Sequence, residues 1–363
     1  MKLKPFLQAF GIFAVVVTLL PLIAVDFWWI RVFDFPHIQL TLLTLTAIAA
    51  YFIRFEIKEW QDYIFMTVLI GCFVFQFWKI YPYTPLSPFE VGEASATVDK
   101  DSEFMIFTSN VLQENKNSKL LLAEIEKMNP DIMLFTETNT TWMNQIKAGL
   151  SKEYKYQVEV PLENTYGMLL YSKFKLIKPE IKYLVDDSIP SIHTKVKLNK
   201  KEEIQLYAVH PTPPMPQHNP SSSDRDAELM KIALKARNSK LPVIVIGDFN
   251  DVAWSQTTTL FKHVGELLDV RVGRNFYNTF SAKSTLLRWP LDQIFVSEEF
   301  RVKTINTGTD IKSDHYIFYA QLFLQPEIAH EQKPELATKE QLKQAQKQIQ
   351  EEETEDVEKG QNH

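Results

Sequence analysis

The chain has 363 residues and a formal net charge of −6, which accommodates one large domain with appendages rather than a string of domains. The charge is uneven: residues 1–94 hold 6 Lys/Arg against 7 Asp/Glu, 95–325 hold 28 against 28, and 326–363 hold 5 against 10. A neutral central region argues against tight or processive binding of duplex DNA, which selects a basic surplus, and the single cysteine, Cys72, excludes an intramolecular disulfide.

Residues 1–85 are more apolar than a soluble domain needs. A run at 6–25 is broken only by Gln8, Thr18 and Pro21, and shorter runs follow at 38–53 and 63–78. Aromatic residues gather at their ends (Phe27, Trp28, Trp29; Tyr51, Phe52; Trp78, Tyr81, Tyr83), as expected of an interfacial belt. The pattern predicts three transmembrane helices; a cleaved signal peptide fits poorly, because no small-x-small site follows the first run and two further runs do. Cys72 then reads as a small apolar residue of a membrane helix. Lys2, Lys4, Arg54 and Lys58 on one side, against Arg31 and Lys79 on the other, place the N-terminus in the cytoplasm and the bulk of the chain in a periplasm or beyond. This is the expectation for a multi-pass bacterial inner-membrane or plasma-membrane protein. The proline-rich stretch that follows predicts a linker over 86–99, long enough to let the next domain hang free.

From residue 100 to 325 short apolar runs alternate with amphipathic stretches. Strands are predicted at 103–111, 131–137, 154–160, 168–173, 191–198, 203–210, 242–248, 291–297 and 314–324, and helices at 117–128, 139–149, 222–237 and 255–265. Many short strands with few helices suit an α/β architecture of two packed sheets flanked by helices. Residues 326–363, rich in Gln, Glu and Lys, predict an acidic, solvated tail, helical or disordered.

Six polar islands lie at the ends of these apolar runs: Thr108-Ser-Asn110-Val, Leu134-Phe-Thr-Glu137-Thr, Tyr207-Ala-Val-His210-Pro, Ile246-Gly-Asp248-Phe-Asn250, Leu291-Asp292-Gln and Ser313-Asp314-His315. Strand alternation puts Asp248 and Asn250 on one side. Taken singly the residues have plain structural uses: Glu137 as a helix N-terminal carboxylate, Asn110 as a turn residue, His210 as a satisfied core histidine. As an ordered set they resemble the endonuclease/exonuclease/phosphatase superfamily, the fold of deoxyribonuclease I, over roughly residues 100–325.

The resemblance implies a four-layer α/β sandwich of two mixed sheets and a divalent-metal phosphoesterase site. It implies metal ligation by Asn110, Glu137 and Asp314, with Mg²⁺ or Mn²⁺ as the ion. The oxygen-rich site, in a domain without cysteine, makes zinc a poor candidate. It also implies that Asp248 holds or deprotonates the attacking water, that Asn250 and His210 donate to the phosphate, and that Asp292 orients His315 as a general base, since imidazole titrates near neutral pH and can accept a proton from water. Arg225 could reach a phosphate, with a salt bridge to neighbouring acids as the competing reading, and Tyr166, before Gly167, is a candidate beside the site. The leading expectation is an endonuclease or exonuclease. The alternatives are a phospholipid or sphingomyelin phosphodiesterase, a phosphoinositide-type phosphatase, or a non-catalytic membrane scaffold. The retained polar residues argue against the scaffold. The expected partner is a phosphate-ester substrate, nucleic acid or lipid headgroup, with no obligate protein partner evident.

Overall fold

The computed structural model describes residues 3–20, 32–94, 100–198, 202–214 and 221–361. Lys2, the end of the first apolar run at 21–25, the aromatics at 27–29, Arg31 and residues 95–99, all used above, lie outside these residues.

Helices α1 (Leu3–Leu19), α2 (His37–Phe52) and α3 (Trp60–Ile80) come first and pack on one another through Leu7, Ala14, Ala47, Tyr51 and Leu69. Of the described helices, only the one spanning Trp60–Tyr83 is both long and apolar enough to cross a membrane; Leu3–Leu19 and His37–Phe52, at 17 and 16 residues, are shorter. The expectation of three transmembrane helices is therefore corrected to one candidate. The second run starts helically only at His37, and the first extends beyond Leu19 into residues outside the description.

The domain that follows is built from β1 (Glu103–Asn110), α4 (Ser118–Met128), β2 (Ile132–Thr136), α5 (Thr140–Gly149), β3 (Tyr156–Val160), β4 (Met168–Ser172), β5 (Lys175–Tyr183), β6 (Pro190–Lys197), β7 (Glu203–Val209), α6 (Ser223–Arg237), β8 (Val243–Asp248), α7 (Gln256–Gly265), β9 (Leu268–Asp269), β10 (Asp292–Val296), β11 (Phe300–Thr307) and β12 (Phe318–Leu324). One sheet runs β11-β12-β1-β2-β4-β3 and the other β5-β6-β7-β8-β10-β9. Both are mixed, with β1 parallel to β2 and β7 parallel to β8.

Period-two alternation builds the layers. In β8, Ile244 and Ile246 enter the core between the sheets, where Ile106 of β1 and Leu134 of β2 also lie. Val243 and Val245 face outward and pack with Leu229, Ala233, Phe261 and Val264 of α6 and α7. On the first sheet, Phe107, Met133 and Phe135 face outward under Leu121, Ile125, Trp142 and Ile146 of α4 and α5. Both faces of the central strands are thus covered, as their unbroken apolar runs require.

Three strands were not anticipated. β5 carries Lys175, Lys178, Glu180 and Lys182 with a register shift between Ile177 and Glu180, and β11 shifts between Val302 and Thr304; both are sheet edges whose polar, bulged sequences hide the alternation. β9 has only two residues. The last strand begins at Phe318, not 314, because Ser313-Asp314-His315 forms a loop.

The expected free linker is also corrected. Val91 is fully buried in the core between the sheets, Ala94 N donates to Val302 O at 3.2 Å, and Glu90 pairs with Lys262 at 2.7 Å. The tail is not simply solvated either. Helix α8 (Lys339–Gln361) docks on α6 and α7 through Leu342, Ala345 and Ile349, and Glu352 pairs with Lys231 at 2.8 Å.

Candidate active site

The polar islands converge because β1, β2, β7 and β8 end at the same edge of the two packed sheets. Asn110 pairs in register with Thr136, next to Glu137; Val209, next to His210, pairs with Gly247, next to Asp248; and Asp292, opening β10, pairs directly with Asp248. Gly247 makes the approach possible. Its φ is +150°, and a Cβ there would lie 1.9 Å from the Val209 carbonyl oxygen, so only glycine lets β8 close against β7 here. Glu137 and Asn250, with φ of +55° and +49°, adopt left-handed backbone that non-glycine residues seldom take. Such geometry persists where surrounding structure holds it, and it concentrates at functional sites.

Asn110 is the hub. Its Nδ2 donates to Glu137 Oε1 at 2.8 Å and to Asp248 Oδ2 at 3.0 Å, so one amide nitrogen spans two carboxylates from different sheets. Its Oδ1, the atom a metal would need, accepts from Leu112 N at 3.0 Å. In this arrangement Asn110 bridges the two carboxylates through its nitrogen, with its oxygen turned to the backbone.

Asp248 Oδ1 accepts from Asn250 N at 2.9 Å, and Oδ2 lies 3.9 Å from His210 Nε2 and 3.6 Å from His315 Nε2. On the other side of His315, Nδ1 meets Asp292 Oδ2 at 2.8 Å, with the imidazole 5% and the carboxylate 0% exposed. Asp292 N is itself held by Thr279 Oγ1 at 3.2 Å, and His315 N by Ser313 Oγ at 3.0 Å. Ser313 Oγ donates in turn to Asn110 O at 2.8 Å, joining the two halves of the site.

The electrostatics follow this arrangement. Burial opposes the His315 imidazolium, but Asp292 and Asp248, with help from Asp314, outweigh it and raise its pKa to about 10. Burial works against the Asp248 carboxylate too, yet the two histidines and the Asn110 and Asn250 donors hold its pKa below the usual carboxylate value. The pKa of His210 is lowered by burial against the pull of Asp248, and its Nδ1 is buried without a hydrogen-bond partner among the described residues. Burial raises the pKa of Glu137, and Asp248 and Asp314 add to the effect.

The other expected residues fall into place unequally. Asn250 uses Nδ2 to hold the Pro211 carbonyl at 2.9 Å, which pins the segment after His210. Tyr166 packs its half-buried ring 5.4 Å from that of His210, and the Gly167 beside it has Thr138 O so close that a Cβ would sit 1.7 Å away. Asp314 is half-buried next to the site. Arg225 is corrected: only 2% exposed, it donates to Asp226 Oδ1 at 2.8 and 2.9 Å and to the Asn250 carbonyl at 3.1 Å, with Asp251 at 3.6 Å. Its donation to the Asn250 carbonyl supports the Asp248–Asn250 turn. Two residues were missed, Thr279 and Phe280, whose ring packs 5.0 Å from His315. They lie in an irregular loop with no periodicity to mark them.

The donor chemistry suits a hard divalent cation, because carboxylate oxygen is what Mg²⁺ and Mn²⁺ prefer and Glu137 feels the charges of Asp248 and Asp314. Among the described residues the group whose ligand atoms lie within 4.8 Å of one another is Asp248, Asp292 and His315, with His315 Nδ1 already engaged by Asp292.

Two packed mixed sheets with this His-carboxylate cluster at one edge define a phosphoesterase-type α/β sandwich. The chain belongs to the endonuclease/exonuclease/phosphatase family, whose model matches residues 107–315. Among solved structures, D. rerio TDP2 complexed with a single-strand DNA product is similar at 16% identity and a TM-score of 0.52, covering 61% of this chain and 99% of that one. A humanized D. rerio TDP2 matches at 16% identity and 0.51, with the same coverage. A functionally unknown conserved protein from Enterococcus faecalis matches at 15% identity and 0.50, covering 61% of this chain and all of the other. At these identities the likeness is one of fold. No curated protein matches the chain.

Proposed function

We propose that this protein is a divalent-metal-dependent phosphodiesterase attached to a membrane by its N-terminal helices. The observation that carries the catalytic reading is the unbroken line Asp292–His315–Asp248, with contacts of 2.8 and 3.6 Å, facing the carboxylates of Glu137 and Asp314.

Glu137, Asp314 and the edge of Asp248 would hold the Mg²⁺ or Mn²⁺ ion, which supplies Lewis-acid polarisation and charge neutralisation at the phosphate. His315 lies between two carboxylates with Asp292 fixing Nδ1, so Nε2 is the nitrogen presented to the mouth and acts as hydrogen-bond donor and acid. Asp248, kept ionised, accepts the proton of the attacking water. The water oxygen bonds to phosphorus, the P–O bond to the leaving alcohol breaks, and the alkoxide takes its proton from His315. His210, with Nδ1 unpartnered among the described residues, donates to a non-bridging oxygen. A scaffold without activity is disfavoured because no member of this connected set is lost.

The attachment reading rests on an inverted surface. In α1 Phe6, Ile12, Phe13 and Val16 are about half exposed; in α2 Leu42 and Leu45 are; in α3 Ile64, Val68, Ile70 and Val74 are. The buried side instead holds Thr18, Thr44 and Gln76. An apolar skin around a partly polar interior suits hydrocarbon rather than water. The 21 residues of α3 rise about 31 Å, close to the thickness of a bilayer core.

The test is hydrolysis of bis(p-nitrophenyl) phosphate by the full-length protein in detergent. Activity with Mg²⁺ or Mn²⁺ that EDTA abolishes is expected; undiminished activity in chelator removes the metal assignment, and no activity with any divalent ion removes the enzyme.

A further inference from the structure

The helical bundle is docked on the catalytic domain, and the docking surface is the rim of the active site. Trp254 Nε1 donates to Asp34 O at 2.8 Å, Tyr83 Oη to Ala253 O at 2.7 Å and Gly273 N to Pro82 O at 2.7 Å. Ile80, Tyr83, Val252, Ala253, Trp254 and Leu291 form one apolar cluster across the junction. Val252–Trp254 follow the Asp248–Asn250 turn directly, and Leu291 precedes Asp292. The residues that seat the bundle are therefore chain neighbours of the residues that do the chemistry.

The loop at 281–288 extends this junction to the mouth. At its base Ala282 N donates to Asp314 O at 2.6 Å, and Phe280 packs on His315 and stacks on Trp289, whose ring meets Phe35 edge-on at 5.7 Å. At its tip the Leu286 carbonyl accepts from Gln39 Nε2 in the first turn of α2 at 2.7 Å. The side chains there point to solvent: Leu286 is 69% and Leu287 50% exposed, with Lys283 exposed beside them and Arg288 lying over the Tyr316 ring. Trp78 and Leu86, at the domain end of α3, are exposed to a similar degree.

An apolar tip flanked by cations, level with the first turn of a lipid-facing helix, has the composition of an interfacial segment. In water alone it would be an unexplained apolar projection. It is tied to the bundle through Gln39 at its tip and to Asp314 and His315 through Ala282 and Phe280 at its base.

We infer that the phosphodiester hydrolysed at this site is the headgroup linkage of a membrane phospholipid, reached along the bilayer surface beside the loop at 281–288. The inference rests on the phosphodiesterase reading above and specifies its substrate class. The balance of the central region, 28 cations against 28 anions, agrees with it, since a nucleic-acid substrate would favour a basic surplus. The reaction is hydrolytic: one P–O ester bond of the lipid breaks, water supplies the hydroxyl on phosphorus and the proton on the departing alcohol, and a phosphomonoester remains.

The experiment uses the full-length protein in vesicles of phosphatidylcholine and phosphatidylglycerol with Mg²⁺. It also supplies, in separate arms, bis(p-nitrophenyl) phosphate, a deacylated glycerophosphodiester and a single-stranded oligonucleotide. Phosphorus NMR is expected to show lipid phosphodiester turning into phosphomonoester faster than the deacylated ester is consumed. The Leu286→Asp/Leu287→Asp double variant should lower the ratio of lipid to nitrophenyl-ester turnover at least about tenfold, from the apolar contact removed. Lys283→Glu should lower the same ratio on the anionic vesicles. Intact lipid beside a cleaved nitrophenyl ester or oligonucleotide, or a ratio that neither variant moves, overturns the substrate inference and leaves the phosphodiesterase reading standing. Failure to hydrolyse any of the four overturns both.

Discussion

The Asp292→Asn substitution isolates the charge that orients the acid. Asp292 Oδ2 sits 2.8 Å from His315 Nδ1, both groups are almost wholly buried, and the amide is isosteric, so packing is preserved while the anion is removed. Removing one partner of a buried charged pair costs about 3–5 kcal/mol. At 1.36 kcal/mol per decade, that corresponds to a loss of about two to four decades in kcat if the pair stabilises the reacting imidazole. His315, with its pKa raised to about 10 by this pair, should titrate lower in the variant, so the alkaline limb of kcat against pH should move towards neutrality. Hydrolysis of bis(p-nitrophenyl) phosphate over pH 5–10, with thermal unfolding as a check on folding, supplies both readouts. A folded variant with kcat within threefold of the parent and an unmoved alkaline limb would refute the assignment of His315 as an Asp292-supported acid.

Glu137→Gln should raise the Mg²⁺ concentration needed for half-maximal activity by at least about tenfold, with partial recovery at high Mg²⁺; titrating activity against the ion measures it. Glu228, buried in α6 with a pKa raised by burial to about 8, binds its proton in the folded state while the unfolded carboxyl ionises near 4.5. Its contribution to stability is full below pH 4.5, falls by about 4–5 kcal/mol as pH rises to 8, and is level beyond. Glu228→Gln should flatten that slope in denaturant unfolding at pH 5 and pH 8. Gly247→Ala forces a Cβ against the Val209 carbonyl and should destabilise the domain by about 2–4 kcal/mol in the same assay, with His210 and Asp248 displaced and activity reduced in proportion.

The polar cluster was legible because its residues sit where apolar runs stop. The run 242–248 reads as a strand buried on both faces, so Asp248 has to emerge at a strand end, and the same reasoning brings Asn110, Glu137, His210 and Asp292 to one edge. What the alternation cannot carry is which atom faces which. Asn110 turns its nitrogen rather than its oxygen to the carboxylates, because Leu112 N claims the oxygen. Arg225 is buried by acids that are its neighbours in sequence or emerge from the Asn250 turn, a choice that the sequence leaves open. Edge strands β5 and β11 escaped because their outward faces are polar and their registers shift. The junction between bundle and domain escaped for a different reason: Tyr83 and Trp254 are 171 positions apart, and composition around residue 86 reads the same whether the segment hangs free or packs.

The central claim is that Asp248 directs water onto phosphorus at this cluster. It is tested most directly by hydrolysis of bis(p-nitrophenyl) phosphate in ¹⁸O-labelled water with Mg²⁺, for the full-length protein and its Asp248→Asn variant. The account predicts label in the phosphomonoester, none in nitrophenol, and a loss of at least about a thousandfold in the variant. Label in nitrophenol, or a folded Asp248→Asn variant that turns over like the parent, would contradict it.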